Sequence, residues 1–256
     1  AAQRSAALAA GPDPWIAACT LYTLGENNWP NLESFIHSAL ESDSRLLRET
    51  ALSAAGRFLS PAAGREFLRA HAADDSFPAV RDYARRRLAY LDQAPQGGLP
   101  MPLSTFERII FLRGVDLFRD IDGEDLIHIA QVCREVSFPE GSNLIAQGDL
   151  GDCLYILVDG EIAVSVEGLG EVNRQGPREV VGEMAIITQK PRSATCTTLG
   201  DVTALRIDYD DFWDLLAEKP ALSMGVIRVL LTRLDSAQKS SPALPETVDT
   251  AEIVNP

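Results

Sequence analysis

The feature of this 256-residue sequence that most constrains its fold is a change of apolar periodicity across one linker. The stretch from Asp92 to Pro102 holds three prolines and two glycines, a composition typical of a connection between folded units. Before it the sequence reads as helices throughout, and after it short strands alternate with glycine turns. We therefore predict an α+β chain in four parts: helical domain 1–93, linker 94–104, mixed domain 105–240 and disordered tail 241–256.

The helical part carries an internal repeat. The segment Leu46–Gly56 is similar to Trp15–Gly25, 31 residues earlier. The segment Val80–Ala84 is similar to Leu47–Ala51, 33 residues earlier. A period in the low thirties predicts stacked helical pairs, and Gly25 is the expected stop of the first helix. This half resembles HEAT-like repeats, which implies a scaffold or docking surface; a structural spacer is the alternative.

Glycine turns divide the mixed domain into strands. Leu154–Val158 and Ile162–Val166 flank Asp159-Gly160, a dipeptide that predicts a hairpin, and a further strand pair is predicted around Gly176-Pro177. About eight strands in all predict an antiparallel roll of the jelly-roll type. Helices are expected before the roll at Thr105–Leu112 and Ile121–Cys133, and after it at Asp210–Leu216 and Pro220–Gln238.

Composition excludes several classes of protein. A net charge of −14 argues against a general nucleic-acid surface, because Lys and Arg hold phosphate backbones. No apolar run approaches the roughly 20 residues that span a bilayer, and no signal peptide is recognisable. Because the sequence begins at Ala1 without methionine, we expect a fragment of a longer protein.

Cysteine and histidine show no metal-binding pattern. The cysteines are widely spaced and predict free buried thiols of a reducing cytosol. Neither a nucleophile–base pair nor a dinucleotide loop is recognisable, so we expect no enzyme, no cofactor and no metal. The residues concerned are Cys19, Cys133, Cys153, Cys196, His37, His71 and His128.

The most informative chemistry lies in residues Gly182–Thr195. Glu183 precedes Arg192 by nine residues, with mostly small or apolar residues between them. Residues 184–187 can form one helical turn whose free N–H groups favour an anion. Arg192 adds a guanidinium suited to a phosphodiester, and Glu183 can accept a hydrogen bond from a sugar hydroxyl. Structural turns with a plain Glu–Arg ion pair are the alternative.

Residues 105–238 resemble the cyclic nucleotide-binding domain family. The resemblance implies that the segment is the phosphate-binding cassette and that it binds a cyclic nucleotide. Serine after the arginine favours cAMP over cGMP. The motifs are Gly141 with Gln147–Asp149 and Gly151-Asp152, then Leu154–Glu161, and then Gly182–Ala185 with Pro191–Ala194. The implied binding residues are Gly182, Glu183, Met184, Ala185, Arg192, Ser193 and Ala194.

The C-terminal helix is expected to cap the base of the ligand. Alternatively, its polar side chains are only solvated surface positions. The candidate cap residues are Arg228, Thr232, Arg233 and Asp235.

The predicted function is a regulatory module that passes a ligand-induced change to an attached or partner effector. The order of helical repeats and nucleotide domain resembles the soluble tail of bacterial transporters related to ADP/ATP translocases, so the expected effector is a membrane transporter. This places the module in the cytoplasm, at the inner face of the membrane if the transporter is attached. A homodimer through the C-terminal helix is a further expected partner, and nucleic acid is not. A scaffold that binds no ligand is the alternative.

One dense basic cluster stands out, at Arg81, Arg85, Arg86 and Arg87. A solvated helix face is the simpler interpretation of this cluster. The more specific interpretation is that the cluster docks to an acidic partner or a lipid surface.

Overall fold

A computed structural model describes residues 11–93 and 101–240 of the chain. Five helices form its N-terminal half. Asp13, Ser44 and Ser60 cap three of them by accepting backbone N–H bonds, as short polar side chains do at helix starts. The helices are α1 (Pro14–Glu26), α2 (Leu32–Leu40), α3 (Arg45–Phe58), α4 (Pro61–Asp74) and α5 (Pro78–Gln93).

These helices pack on one another at the spacing that the sequence repeat indicated. Helix α3 contacts α1, α2, α4 and α5, so it is the centre of the helical half. Buried alanines such as Ala18, Ala51 and Ala55 let the helices approach closely. The HEAT-like classification stays a prediction.

The first helix does not stop at Gly25. It continues to Glu26, and Gly25 lies inside it, buried against the Phe58 ring. A Cβ at Gly25 would overlap that ring, so the glycine serves close helix packing rather than termination.

In the described ranges, eight strands form two antiparallel four-stranded sheets, which confirms the predicted α+β fold. The first sheet has the strand order β1-β8-β3-β6, and the second has the order β2-β7-β4-β5. The strands are β1 (Arg134–Phe138), β2 (Asn143–Ile145), β3 (Cys153–Asp159), β4 (Ile162–Val166), β5 (Gly170–Gln175), β6 (Val180–Val181), β7 (Thr195–Thr198) and β8 (Val202–Asp208).

The predicted hairpin at Asp159-Gly160 is wrong. Strand β3 pairs with β6 and β8, whereas β4 pairs with β5 and β7, so this turn carries the chain from one sheet to the other. The predicted pair around Gly176-Pro177 is wrong for the same reason, because β5 and β6 belong to different sheets. Turn chemistry indicates where a chain reverses, but burial decides which strand it then pairs with.

Helices enclose one end of the sheets. Gly225 allows the last helix to lie directly on Leu117, whose carbonyl oxygen a Cβ at this position would overlap. These elements are α6 (Thr105–Leu112), a 3-10 turn (Asp116–Phe118), α7 (Gly123–Val132), α8 (Glu183–Thr188), α9 (Tyr209–Glu218) and α10 (Pro220–Ser240).

The helical half and the mixed half share one apolar core. A continuous cluster of buried side chains extends from Ala17 and Leu52 through Phe106 and Ile109 to Leu205 and Val226. The Trp15 and Phe106 rings meet at 5.5 Å between centroids across the junction. Helix α6 therefore lies at the junction of the two halves.

The arginine cluster is not one solvated face. Arg87 is buried over the Tyr90 ring, Arg81 donates to the Asp75 carbonyl, and Arg86 pairs with Asp82. Only Arg85 of the four is fully exposed.

The four cysteines are free, and all but Cys19 are buried. None of the helices in the described ranges is long and apolar enough to cross a bilayer. The predicted disordered tail and most of the predicted linker lie outside the described residues.

Candidate functional site

The segment that the sequence singled out connects the two sheets. Strand β6 ends at Val181, and Gly182 turns the chain into the short helix α8 with φ of 87°, which favours glycine. Gln189, also left-handed with φ of 54°, ends the helix. The chain then passes Arg192 and enters β7 at Thr195. The predicted helical turn is thus present, one residue longer at each end.

Arg192 is buried, with 6% of its surface exposed. Its Nη1 donates to the Gly182 carbonyl at 2.7 Å, and its Nη2 donates to the Cys153 carbonyl at 2.6 Å. A guanidinium has five N–H donors, and these two short bonds use two of them. The bonds fix the plane of the guanidinium at the start of α8.

Glu183 is the first residue of α8 and is buried to 2% exposure. It lies next to Gly182, to which Arg192 is bonded, so the acid and the arginine converge at one helix start. Ala185 is also buried, Ala194 is half-buried, and Met184 and Ser193 are exposed. The Arg192–Gly182 bond therefore brings the two ends of the predicted segment together.

The turn at residues 147–152 holds the arginine from the other side. Gly148 N donates to the Arg192 carbonyl at 2.9 Å, and Arg192 N donates to the Asp149 carbonyl at 2.8 Å. A Cβ at Gly151 would lie 3.3 Å from Arg192 Cζ and would overlap Ala185. The sequence singled out this glycine-rich turn but did not assign it a role.

An ionic cluster adjoins the arginine. Asp152 Oδ1 lies 3.8 Å from Arg192 Nη2, and Asp152 Oδ2 lies 3.1 Å from Arg206 Nη2. Burial alone would raise the pKa of Asp152, but the Cys153 thiol and the charges of Arg206 and Arg192 lower it below its usual range. Asp152 therefore stays ionised and faces two guanidinium groups.

The candidate cap residues lie elsewhere or outside the described side chains. Arg228 donates to the Asp116 carbonyl at 2.9 Å and pairs with Asp120, which fixes α10 to the 3-10 turn rather than to the cassette. Thr232 donates to the Arg228 carbonyl within its own helix. Arg233 and Asp235 lie on the same helix, but their side chains are outside the described residues.

Residues 135–219 match the family model of the cyclic nucleotide-binding domain. This segment contains both sheets except for the first residue of β1, and the whole of the cassette. Residues 135–219 are therefore a cyclic nucleotide-binding domain.

Two curated proteins are similar in sequence to part of this chain. The CRP-like cAMP-activated global transcriptional regulator of Mycobacterium tuberculosis is 30% identical over 122 residues, 46% of this chain and 54% of that protein. The cAMP-dependent protein kinase regulatory subunit of Dictyostelium discoideum is 33% identical over 109 residues, 40% of this chain and 33% of that protein. The chain thus spans about half of the first relative and a third of the second.

A similar solved structure is the Thermus thermophilus catabolite activator protein. It is 25% identical, with a TM-score of 0.45, and the match covers 48% of this chain and 60% of that chain.

Proposed function

We propose that this chain is a regulatory module that binds cAMP in preference to cGMP. The family match at residues 135–219 supports a cyclic nucleotide as the ligand. The names of both curated relatives refer to cAMP, which supports the choice of base.

The buried guanidinium of Arg192 carries this proposal. Two carbonyls orient it before any ligand arrives, so the ordering cost of binding is reduced. The N–H groups of Arg192 that do not donate to these carbonyls bind the cyclic phosphate through charge-assisted hydrogen bonds. Glu183 accepts from the ribose 2′-hydroxyl, Ser193 adds a donor, and Ala194 keeps the wall of the site small.

Isothermal titration calorimetry of the 256-residue chain with cAMP and with cGMP tests the proposal. Arg192→Ala removes one or two charge-assisted bonds of about 1.5–3 kcal/mol each, so cAMP affinity falls at least about tenfold. The matched control is Arg174→Ala, an exposed arginine of β5 paired with Glu171. Equal cAMP affinity in Arg192→Ala contradicts the assigned role, and absence of binding in the wild type favours the scaffold alternative.

We propose further that ligand binding changes the position of α10, which then caps the base. The two contacts of Arg228 hold this helix on the 3-10 turn in the structure, so capping requires their exchange. A membrane transporter is the effector that we propose for this motion. Reading the coding sequence upstream of residue 1 tests this: several apolar spans support the proposal, and a soluble upstream region contradicts it.

A second copy of the chain is the other partner that we propose. Four apolar residues on α10 are exposed at spacings of three, four and three residues, the pattern of a coiled-coil seam. The residues are Met224, Ile227, Leu231 and Leu234.

A further inference from the structure

A charged cavity of about 310 Å³ lies at the junction between the helical half and the sheets. Four arginines line it: Arg45 from α3, Arg86 from α5, Arg108 from α6 and Arg134 from β1. It is lined by none of the cassette residues 182–195, so it is distinct from the proposed nucleotide site.

Three acids also line the cavity, and each already has partners. The two oxygens of Glu49 accept from the backbone N and the Oγ1 of Thr105 at 3.0 and 2.8 Å. Glu135 accepts from Leu103 N at 3.0 Å, and Asp82 accepts from Arg86 Nε at 3.0 Å. Two of these carboxylates are therefore bonded to the segment that begins α6, where backbone N–H groups and the helix dipole compensate their charge.

Three of the four arginines have partners. Arg86 Nε donates to Asp82, Arg108 Nη1 donates to the Cys133 carbonyl at 3.1 Å, and Arg134 pairs with Asp208 at 3.1 Å. The remaining contacts of the arginines with acids are longer. Arg45 Nε lies 3.8 Å from Glu49, Arg86 Nη1 lies 3.7 Å from Glu135, and Arg108 Nη2 lies 4.0 Å from Glu135. These separations allow attraction between charges but exceed the length of a hydrogen bond.

Two guanidinium N–H groups in the cavity wall have no acceptor. Arg45 Nε and Arg108 Nε are both buried and have no hydrogen-bond partner among the residues of the described ranges. Arg108 as a whole is only 6% exposed. A buried charged donor without an acceptor is costly, so the cavity favours an occupant that brings oxygen acceptors.

We propose that this cavity binds a small tetrahedral oxyanion of the phosphate class, held by the guanidinium groups of Arg45 and Arg108. Planar guanidinium donors match oxyanion geometry. Arg86 and Arg134 also line the cavity, but each is paired with a carboxylate, so the proposal depends on Arg45 and Arg108. At roughly 30 Å³ per water molecule, the cavity has room for about ten waters, so a phosphate fits with part of its hydration shell.

Such an anion would bridge the two halves of the chain. Helices α3 and α5 belong to the helical half, while α6 and β1 lead into the sheets, and all four contribute to the cavity. A ligand bound only by the assembled junction stabilises the folded chain by mass action. This effect does not depend on whether the cassette binds a cyclic nucleotide.

Thermal unfolding of the 256-residue chain provides the test. Inorganic phosphate, and glycerol phosphate as a monoester, are titrated against chloride at equal ionic strength and pH. We expect a saturable rise of the melting temperature that chloride does not produce. A larger rise with the monoester assigns the site to esterified phosphate, and a larger rise with inorganic phosphate assigns it to the free ion.

Arg45→Gln and Arg192→Ala form the decisive pair of variants. Arg45→Gln is expected to weaken the phosphate response at least tenfold and to leave cAMP binding unchanged. Arg192→Ala, in the cassette, is expected to keep the phosphate response. Arg108 also donates to the Cys133 carbonyl at 3.1 Å and can affect folding, so the result rests on Arg45.

Two outcomes overturn the proposal. A phosphate response no greater than that of chloride shows that the cavity holds only water. A response that Arg192→Ala abolishes and Arg45→Gln retains shows that the anion binds at the cassette instead.

Discussion

Arg192 can lie buried at the start of α8 because two residues that it packs against lack side chains. A Cβ at Gly182 would overlap Arg192 Nη1 and would lie 3.0 Å from Ile145 Cδ1. A Cβ at Gly151 would crowd the same guanidinium from the opposite side. The position of the Arg192 guanidinium thus depends on glycine at two separate points of the chain.

Gly182→Ala is predicted to destabilise the fold by about 2–5 kcal/mol. The left-handed conformation costs alanine about 1–2 kcal/mol, and displacing Arg192 breaks buried hydrogen bonds for the remainder. Urea unfolding measures the loss. The matched control is Gly141→Ala, which has φ of 77° but open space around its Cβ, so it should lose only the conformational part. Equal losses in the two variants would show that contact with Arg192 is unimportant.

Asp75 illustrates a residue whose role the sequence did not reveal. It is buried and accepts hydrogen bonds from Arg48 Nη2 at 2.7 Å and Phe77 N at 2.9 Å, and its Oδ2 lies 2.7 Å from His71 Nδ1. Burial alone would raise the pKa of Asp75, but the bonds from Arg48, Phe77 and His71 lower it below its ordinary value of 3.8. Arg48 and His71, whose side chains are 15% and 21% exposed, thus lie at the rim of a cluster centred on the buried Asp75.

The lowered pKa of Asp75 predicts a pH dependence of stability. The stabilisation is complete above the unfolded-state pKa and is lost as pH falls through the lower folded-state value. Asp75→Asn should cost about 2–4 kcal/mol at about pH 5, and its difference from wild type should shrink at about pH 3. Chemical unfolding of both proteins at the two pH values measures this. A difference that stays constant would contradict the ionised role of Asp75.

The start of helix α6 is held by three carboxylates from three elements. Leu103 N donates to Glu135 of β1, Ser104 N donates to Glu107 of α6 itself, and Thr105 N donates to Glu49 of α3. Three consecutive N–H groups thus join the sheet, the helix and the helical half. The last of these bonds is a helix cap provided by a distant part of the chain.

Glu49→Ala is predicted to destabilise the chain by about 2–4 kcal/mol, because it removes two hydrogen bonds and leaves Thr105 N buried without this acceptor. Asp13→Ala removes the local, exposed cap of α1 and serves as the matched control, with an expected loss of about 0.5–2 kcal/mol. Chemical denaturation of both variants gives the comparison. A loss in Glu49→Ala no greater than in the control would rule out a structural role for the distant cap.

The sequence predicted the elements better than their pairing. Helix α6 and strand β4 begin and end where expected, because periodicity and turn residues are local signals. The Asp159-Gly160 turn was located correctly, yet the two strands beside it belong to different sheets. Pairing depends on which faces are buried against each other, and a single sequence does not state that.

The same limit applied at the candidate site. Glu183 and Arg192 were identifiable because their chemistry and spacing lie within one segment. The 147–152 turn that supports Arg192, and the contacts of Arg228 with Asp116 and Asp120, are long-range. Such contacts become visible only when distant segments are brought together.

At the scale of the whole molecule, the two halves pack directly against each other. A continuous apolar cluster and the Glu49–Thr105 contact connect them, and the charged cavity lies in the same junction. Helix α10 carries an exposed apolar face that is not part of this junction.

The exposed seam of α10 predicts a dimer. Its four apolar side chains are 47–58% exposed at heptad spacing, and a contiguous exposed apolar stripe is typical of an interaction surface. Pairing of two copies would bury this seam, so we expect wild-type chain to sediment as a dimer at micromolar concentration. The double substitution Ile227→Glu and Leu231→Glu introduces like charges into the seam and should yield monomer with unchanged helix content by circular dichroism.

Leu169→Glu is the control for this experiment, because Leu169 is also apolar and is more exposed, at 75%, but lies in the turn between β4 and β5. This variant should remain dimeric. If wild-type chain and both variants sediment alike as monomers, the dimer is excluded. If all three are dimers, the interface lies elsewhere, because two buried glutamates in facing positions would cost several kcal/mol that a coiled-coil seam could not absorb.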